Sequence, residues 1–336
     1  FNAPNNSKWF SKLLHFKIPI NLSQNNFNLK IIEMKKNFFV FTALLLFLVK
    51  NNISAKPSVE RGEYLVRGPA ACGSCHTPMG PLTNDKNDRR VGPIPGMELA
   101  GHVIQEPYGQ ITMSNLTPGG PIASWTDEEV IRAIREGIRP DGTLVGFPML
   151  ISVYRHLSDD DVKSIVLFLR SIPAVKNDLP TSQYKMPLPK SYGPPVINVK
   201  DISKMNKLEY GAYLAGPVAH CTLCHTAWGK EENIMKFFFN PPDYKGLMTL
   251  PGLGQGGMEM KGPWGMSIAA NITSHSTALG RYNDEEVKKM ITDGIHPSGM
   301  KLMPPMPYSY YAKMTDQDLD TLITYLRTIP PHPVSE

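Results

Sequence analysis

The chain is poor in cysteine, with four in 336 residues, and none of the four is spare, because all lie in two copies of one short pattern. That scarcity excludes a zinc ribbon, whose two Cys-x-x-Cys pairs stand roughly 15–20 residues apart; here about 150 residues separate Cys72 from Cys221. Long apolar runs are also missing. The one clear run, Phe38 to Val49, is shorter than the roughly 20 residues that cross a bilayer, and no later stretch could span one. A real charge excess is absent too. The net charge is +5, but residues 1–55 hold seven Lys or Arg and one acidic residue, leaving 28 basic against 29 acidic side chains. Nucleic-acid binding needs a clustered basic surface, so that class is excluded. Strand signals are sparse, which points to an all-α fold.

What is present is Cys72-x-x-Cys75-His76 and, again, Cys221-x-x-Cys224-His225. Cys-x-x-Cys-His is the attachment pattern of c-type haem. Each thiol adds to a haem vinyl group, and the histidine supplies one axial nitrogen to iron. Residues three apart share a helix face, so both sulfurs reach one porphyrin edge. A thioredoxin-like pair explains neither the trailing histidine nor the duplication. The expected cofactors are two haem c groups.

The amino end has its own layout. Residues 1–33 show no clean periodicity and read as an upstream, non-native extension. Met34-Lys35-Lys36, the apolar run and Ile53-Ser54-Ala55 have the layout of a secretory signal peptide over 34–55. The rest is written twice. Gly62-Glu63-Tyr64-Leu65 returns as Gly211-Ala212-Tyr213-Leu214, each ten residues before its first cysteine. Tyr108-Gly109 returns as Trp264-Gly265, and Ser114-Asn115-Leu116-Thr117 as Ala270-Asn271-Ile272-Thr273. Trp125 to Val130 returns as Tyr282 to Val287. A repeat this long means two domains of one fold: residues 58–173 and 204–331, joined by a Pro-rich, extended linker at 174–203.

Thr126 with Glu129 and Asn283 with Glu286 make capping-box patterns. Gly137 and Gly294 sit where those helices should stop. Ser158 and Thr315 cap the last helices, whose apolar faces are Val162, Ile165, Val166, Leu169 and Leu319, Leu322, Ile323, Leu326. The acidic run Asp127-Glu128-Glu129 is explained by a helix first turn rather than by acid–base chemistry.

Each haem also needs a sixth ligand. The repeat aligns Met149 with Met306, both on Pro-rich loops and both followed five residues later by a tyrosine, Tyr154 and Tyr311. These are the expected axial partners of His76 and His225. Met303 shares the second loop but aligns with Gly146. His102, His156, His275, His296 and His332 have no aligned histidine and read as surface residues. His220 adjoins Cys221 but lies outside the attachment motif. Phe237-Phe238-Phe239 reads as core. No catalytic residue is expected.

With both motifs, both Met loops and the aligned helix starts in place, the chain resembles the cytochrome c subunits of membrane-associated bacterial alcohol, gluconate and sorbitol dehydrogenases. Ser114 to Pro118, Trp125 to Glu129, Gly137 to Gly142 and Tyr154 to Asp159 carry the likeness. The resemblance implies an electron carrier that is not an enzyme by itself. Its donor is a dehydrogenase subunit with a flavin or quinone cofactor. Its acceptor is a quinone, another cytochrome or a terminal oxidase. The implied place is the periplasm or the outer face of the cytoplasmic membrane, with membrane association through the complex or an uncleaved amino-terminal segment. The alternative is a di-haem cytochrome c peroxidase, which needs one displaceable distal ligand; the paired Met loops argue against it.

Overall fold

The computed structural model describes residues 56–80 and 92–333. The extension at 1–33 and the signal segment at 34–55 lie outside the described residues. Among the described residues no helix is long and apolar enough to cross a membrane.

The first half opens with α1 (Val59–Arg67), capped by the Ser58 hydroxyl, which accepts from the Arg61 amide. The first attachment motif forms α2 (Cys72–His76). A hairpin follows, β1 (His102–Glu106) and β2 (Gly109–Met113). Then come α3 (Asp127–Arg135), α4 (Ile151–Tyr154) and α5 (Asp159–Ser171). The linker adds β3 (Gln183–Tyr184) to the free edge of β2. The second half repeats the order: α6 (Lys207–Tyr213), running into a π-helical turn (Leu214–Val218), and α7 (Cys221–Cys224). Two helices without counterparts among the described residues come next, α8 (Glu231–Phe239) and α9 (Tyr244–Met248). The hairpin β4 (Glu259–Gly262) and β5 (Gly265–Ile268), then α10 (Asp284–Thr292), α11 (Tyr308–Tyr311) and α12 (Asp316–Leu326) complete it.

The all-α expectation is overturned. Helices account for about 38 % of the structure, alongside two antiparallel sheets. The strands are only four or five residues long, too short for an alternating pattern to stand out in sequence. Tyr108-Gly109 and Trp264-Gly265, visible as repeat markers, are hairpin corners: Glu106 pairs with Gly109, and Gly262 with Gly265.

The helix signals match the backbone. Both capping boxes form, at Thr126/Glu129 and Asn283/Glu286. Gly137 and Gly294 lie just past those helices at φ 67° and 64°, in the left-handed region that glycine enters without penalty. The terminal helices are pinned alike in both halves. Arg170 donates to the carbonyls of Ile122 and Trp125 and reaches Asp127, while Arg327 donates to those of Leu279 and Tyr282 and reaches Asp284.

One apolar cluster draws on both halves, with Leu65, Val66, Leu157 and Leu169 beside Leu214, Val218, Leu322 and Leu326. Buried polar contacts across it are reciprocal. The Tyr64 hydroxyl donates to Asp318 Oδ2 at 2.6 Å, and the Tyr213 hydroxyl to Asp161 Oδ2 at 2.8 Å. Since Tyr64 aligns with Tyr213 and Asp161 with Asp318, the halves meet about a pseudo-two-fold axis. The arrangement resembles an isologous contact, here within one chain.

Candidate functional site

Each attachment motif begins from left-handed backbone. Ala71 precedes α2 at φ 47°, ψ 37°, and His220 precedes α7 at φ 45°, ψ 27°. The bend drops the chain into a single helical turn, whose two cysteines share a face.

The histidine that closes each motif is oriented from behind. His76 Nδ1 lies 2.8 Å from the Ser114 carbonyl oxygen, and His225 Nδ1 lies 2.7 Å from that of Ala270. Ser114 and Ala270 follow β2 and β5, so the hairpins missed in the sequence are what aim the imidazoles. Donation from Nδ1 leaves Nε2 as the lone-pair nitrogen, the tautomer that ligates metal. Burial lowers the pKa of His76 to about 4 and lowers that of His225 as well, keeping both rings neutral. Burial also pushes the thiols of Cys72 and Cys221 up to about 12. Cys224 rises to about 11, chiefly by burial and further by the neighbouring Cys75.

Two cavities flank these turns. The first, about 1270 Å³ including its mouth, is lined by Cys72, Cys75, His76 and Met149 among largely apolar neighbours such as Ile111 and Trp125. The second, about 650 Å³, is lined by Cys221, His225 and Met306 with Met290, Tyr311 and Leu322. Both are walled mainly by apolar side chains, the lining that an organic ring system needs. Cys224 is half-buried and is not in the lining of the second cavity. Met303 is also outside that lining and is 37 % exposed.

The residues present fit a porphyrin. Thiols border an apolar cavity, a neutral imidazole is held by its back nitrogen, and a thioether lines the same cavity. Among the described residues no cluster of three or more His, Cys, Asp or Glu could hold a bare metal ion. The loops carrying Met149 and Met306 are followed by equivalent tyrosines. The Tyr154 hydroxyl donates to the Ala70 carbonyl at 3.3 Å, and that of Tyr311 to the Ala219 carbonyl at 2.7 Å. These bonds tie each Met loop to the segment before its own attachment helix.

Three groups were not legible as site residues. Tyr184, in the linker, lines the first cavity and accepts from the Gly146 amide at 3.1 Å. Met113 lines it from β2, where the second half has Ala269. His220 lines the first cavity although it belongs to the second half. An aromatic residue within a Pro-rich run is the only advance signal for Tyr184. The other histidines were read as surface residues, yet only His332 is exposed; His102, His156, His275 and His296 are half-buried. Phe237 and Phe238 are core, as their sequence suggests.

Comparison with known proteins agrees with this chemistry. The cytochrome c family, described as "Cytochrome c", matches residues 209–330. The chain is 27 % identical over 294 residues to the fructose dehydrogenase cytochrome subunit of Gluconobacter japonicus, covering 82 % of this chain and 53 % of that protein. It is 26 % identical over 294 residues to the cytochrome c subunit of the quinone alcohol dehydrogenase of Gluconobacter oxydans, covering 82 % and 55 %. A diheme cytochrome c-type protein of Cereibacter sphaeroides is 30 % identical over 122 residues, covering 36 % of this chain and 37 % of that one. The chain thus spans about half the length of the first two curated relatives. Residues 209–330 match the cytochrome c family, and the chain is similar over most of its length to cytochrome c subunits of fructose and alcohol dehydrogenases.

Proposed function

We propose that the chain is a di-haem c-type cytochrome that relays electrons from a dehydrogenase to a quinone, another cytochrome or a terminal oxidase, at the periplasmic face of the cell. The observation that carries this reading is the pairing within each cavity. His76 and Met149 line the first, and His225 and Met306 line the second. Bound haem supplies one-electron exchange at iron. Cys72 and Cys75, and Cys221 and Cys224, tether it; His76 and His225 supply nitrogen; Met149 and Met306 supply sulfur. A histidine–methionine pair raises the potential and fills both axial positions, which suits transfer rather than binding of oxygen or peroxide. The dehydrogenase partner is inferred from the relatives, and no residue of this chain is assigned a catalytic step.

The test is a redox titration of the purified holoprotein beside Met149→Ala and Met306→Ala, with the intact mass measured on each. The native protein carries the mass of two haems and gives two waves. Each substitution lowers one wave only, and a different one. A mass with fewer than two haems, or two variants that move neither wave, overturns the reading.

A further inference from the structure

The halves differ at the residue just before the attachment helix. Ala71 stands there in the first half and His220 in the second, with nearly the same left-handed backbone, φ 47° and 45°. A side chain larger than alanine carries a strain cost there, although histidine tolerates this region better than most residues. The His220 ring crosses into the other half. Its near neighbour there is Tyr154, whose hydroxyl donates to the Ala70 carbonyl. It meets the Tyr154 ring edge to face, with centroids 6.1 Å apart at 83°, and it lines the first cavity. The equivalent carbonyl, that of Ala219, accepts Tyr311 alone among the aromatic side chains described.

We propose that His220 completes the first haem site from the second half, as a positioning residue that closes the cavity wall and biases the exchanged electron toward the first haem. This rests on the two-haem reading above. Three facts carry it: the ring is part of the first cavity's wall; it packs edge to face on Tyr154, whose hydroxyl holds the Ala70 carbonyl two residues before Cys72; and its own backbone is bonded to Cys221 of the second site. Solvent access and dielectric around an iron centre set its potential. A wall that keeps water from the first site favours the ferrous state there. The exchange is one electron: iron at one site goes from ferrous to ferric as the other goes from ferric to ferrous, with no proton moved and no bond broken.

The repeat supplies the control. Alanine already occupies this conformation at position 71, so His220→Ala is not expected to compromise folding. In the half-reduced holoprotein, His220→Ala shifts the electron toward the second site by about tenfold, a relative fall of roughly 59 mV in the first-site potential for a one-electron couple. The wave displaced by Met149→Ala identifies the first site, and His220→Gln, which keeps more of the wall than alanine does, restores part of the shift. A His220→Ala protein with two haems and an unchanged first wave overturns the inference and leaves the two-haem reading standing. Equal falls in both waves overturn it too, since they report general loosening. A mass with fewer than two haems overturns both.

Discussion

The two halves share one local frame and differ in what surrounds it. Each has a left-handed residue, a single turn carrying the cysteines, a histidine tied back to a post-hairpin carbonyl, and a Met loop leading to a capped terminal helix. Around the first frame the rest of the chain closes in. The linker strand β3 extends the hairpin, Tyr184 covers Gly146, and His220 crosses from the other half. Helix α8 sets Phe238 against Phe147 of the first Met loop, with ring centroids 4.5 Å apart. Around the second frame the hairpin stays two-stranded, and Met266 and Ile268 on β5 are more than half exposed. On the proposed two-haem reading, matched ligand candidates in unmatched surroundings would give the two sites different potentials from one repeated sequence, because burial and solvent access tune iron independently of its ligands.

The largest effects test the shared frame. Helix α1 crosses α5 at Gly62, and α6 crosses α12 at the aligned Gly211. A Cβ at Gly211 would lie 2.5 Å from the Thr321 carbonyl oxygen, and one at Gly62 would press deeper into that of Ser164. Alanine in a helix is otherwise favoured over glycine by roughly 0.5–1 kcal/mol. Overpacking costs about 1–3 kcal/mol and outweighs that gain. Denaturant unfolding of the holoprotein is expected to show Gly62→Ala less stable than Gly211→Ala, and both less stable than the native chain. A stabilised Gly62→Ala protein would mean that the crossing is not tight.

A second contrast concerns pH. His156 of the first half aligns with Lys313 of the second, which is exposed. His156 Nε2 lies 3.1 Å from the Pro242 carbonyl oxygen, across the halves. Burial lowers its pKa to about 4, with Arg155 and Arg135 lowering it further and the Pro242 carbonyl and Asp243 opposing. The folded state therefore resists a proton that the unfolded chain accepts near its ordinary value of about 6.5. Its contribution is fully present above that value and is lost as pH falls from about 6.5 to about 4. The loss is on the order of 3 kcal/mol at most. His156→Gln is expected to flatten that part of the stability profile. An identical acid limb in the variant places the sensitivity elsewhere.

Local signals were legible in the sequence, and contacts between distant segments were not. Caps, stops and attachment motifs are written within four or five residues, so Thr126, Gly137, Cys72 and His76 declare themselves. Met149 and Met306 could be chosen from seventeen methionines only because the repeat aligns them. The hairpins escaped notice because four-residue strands carry too few alternations. His220 and Tyr184 escaped because their part in the first site depends on chain 66 and 38 positions distant, at Tyr154 and Gly146, which no local pattern connects to them. The buried histidines were misjudged for the same reason, since nothing beside His156 in sequence announces Pro242.

The smallest expected effect bears most directly on the contrast between the sites. Tyr184→Ala removes the acceptor of the Gly146 amide and the ring beside the first cavity, while leaving every axial and attachment residue in place. A lost hydrogen bond of this kind costs about 1 kcal/mol, so the fold should survive. If the linker strand is what separates the two environments, water gains access to the first site and its wave moves down, toward that of the second site. The move should be smaller than that of Met149→Ala, because the axial thioether acts on iron directly while Tyr184 acts through solvent. A first wave that stays put while stability falls would reduce β3 to a structural tie, and the difference between the halves would then rest on the wall at His220 and on the α8 contact.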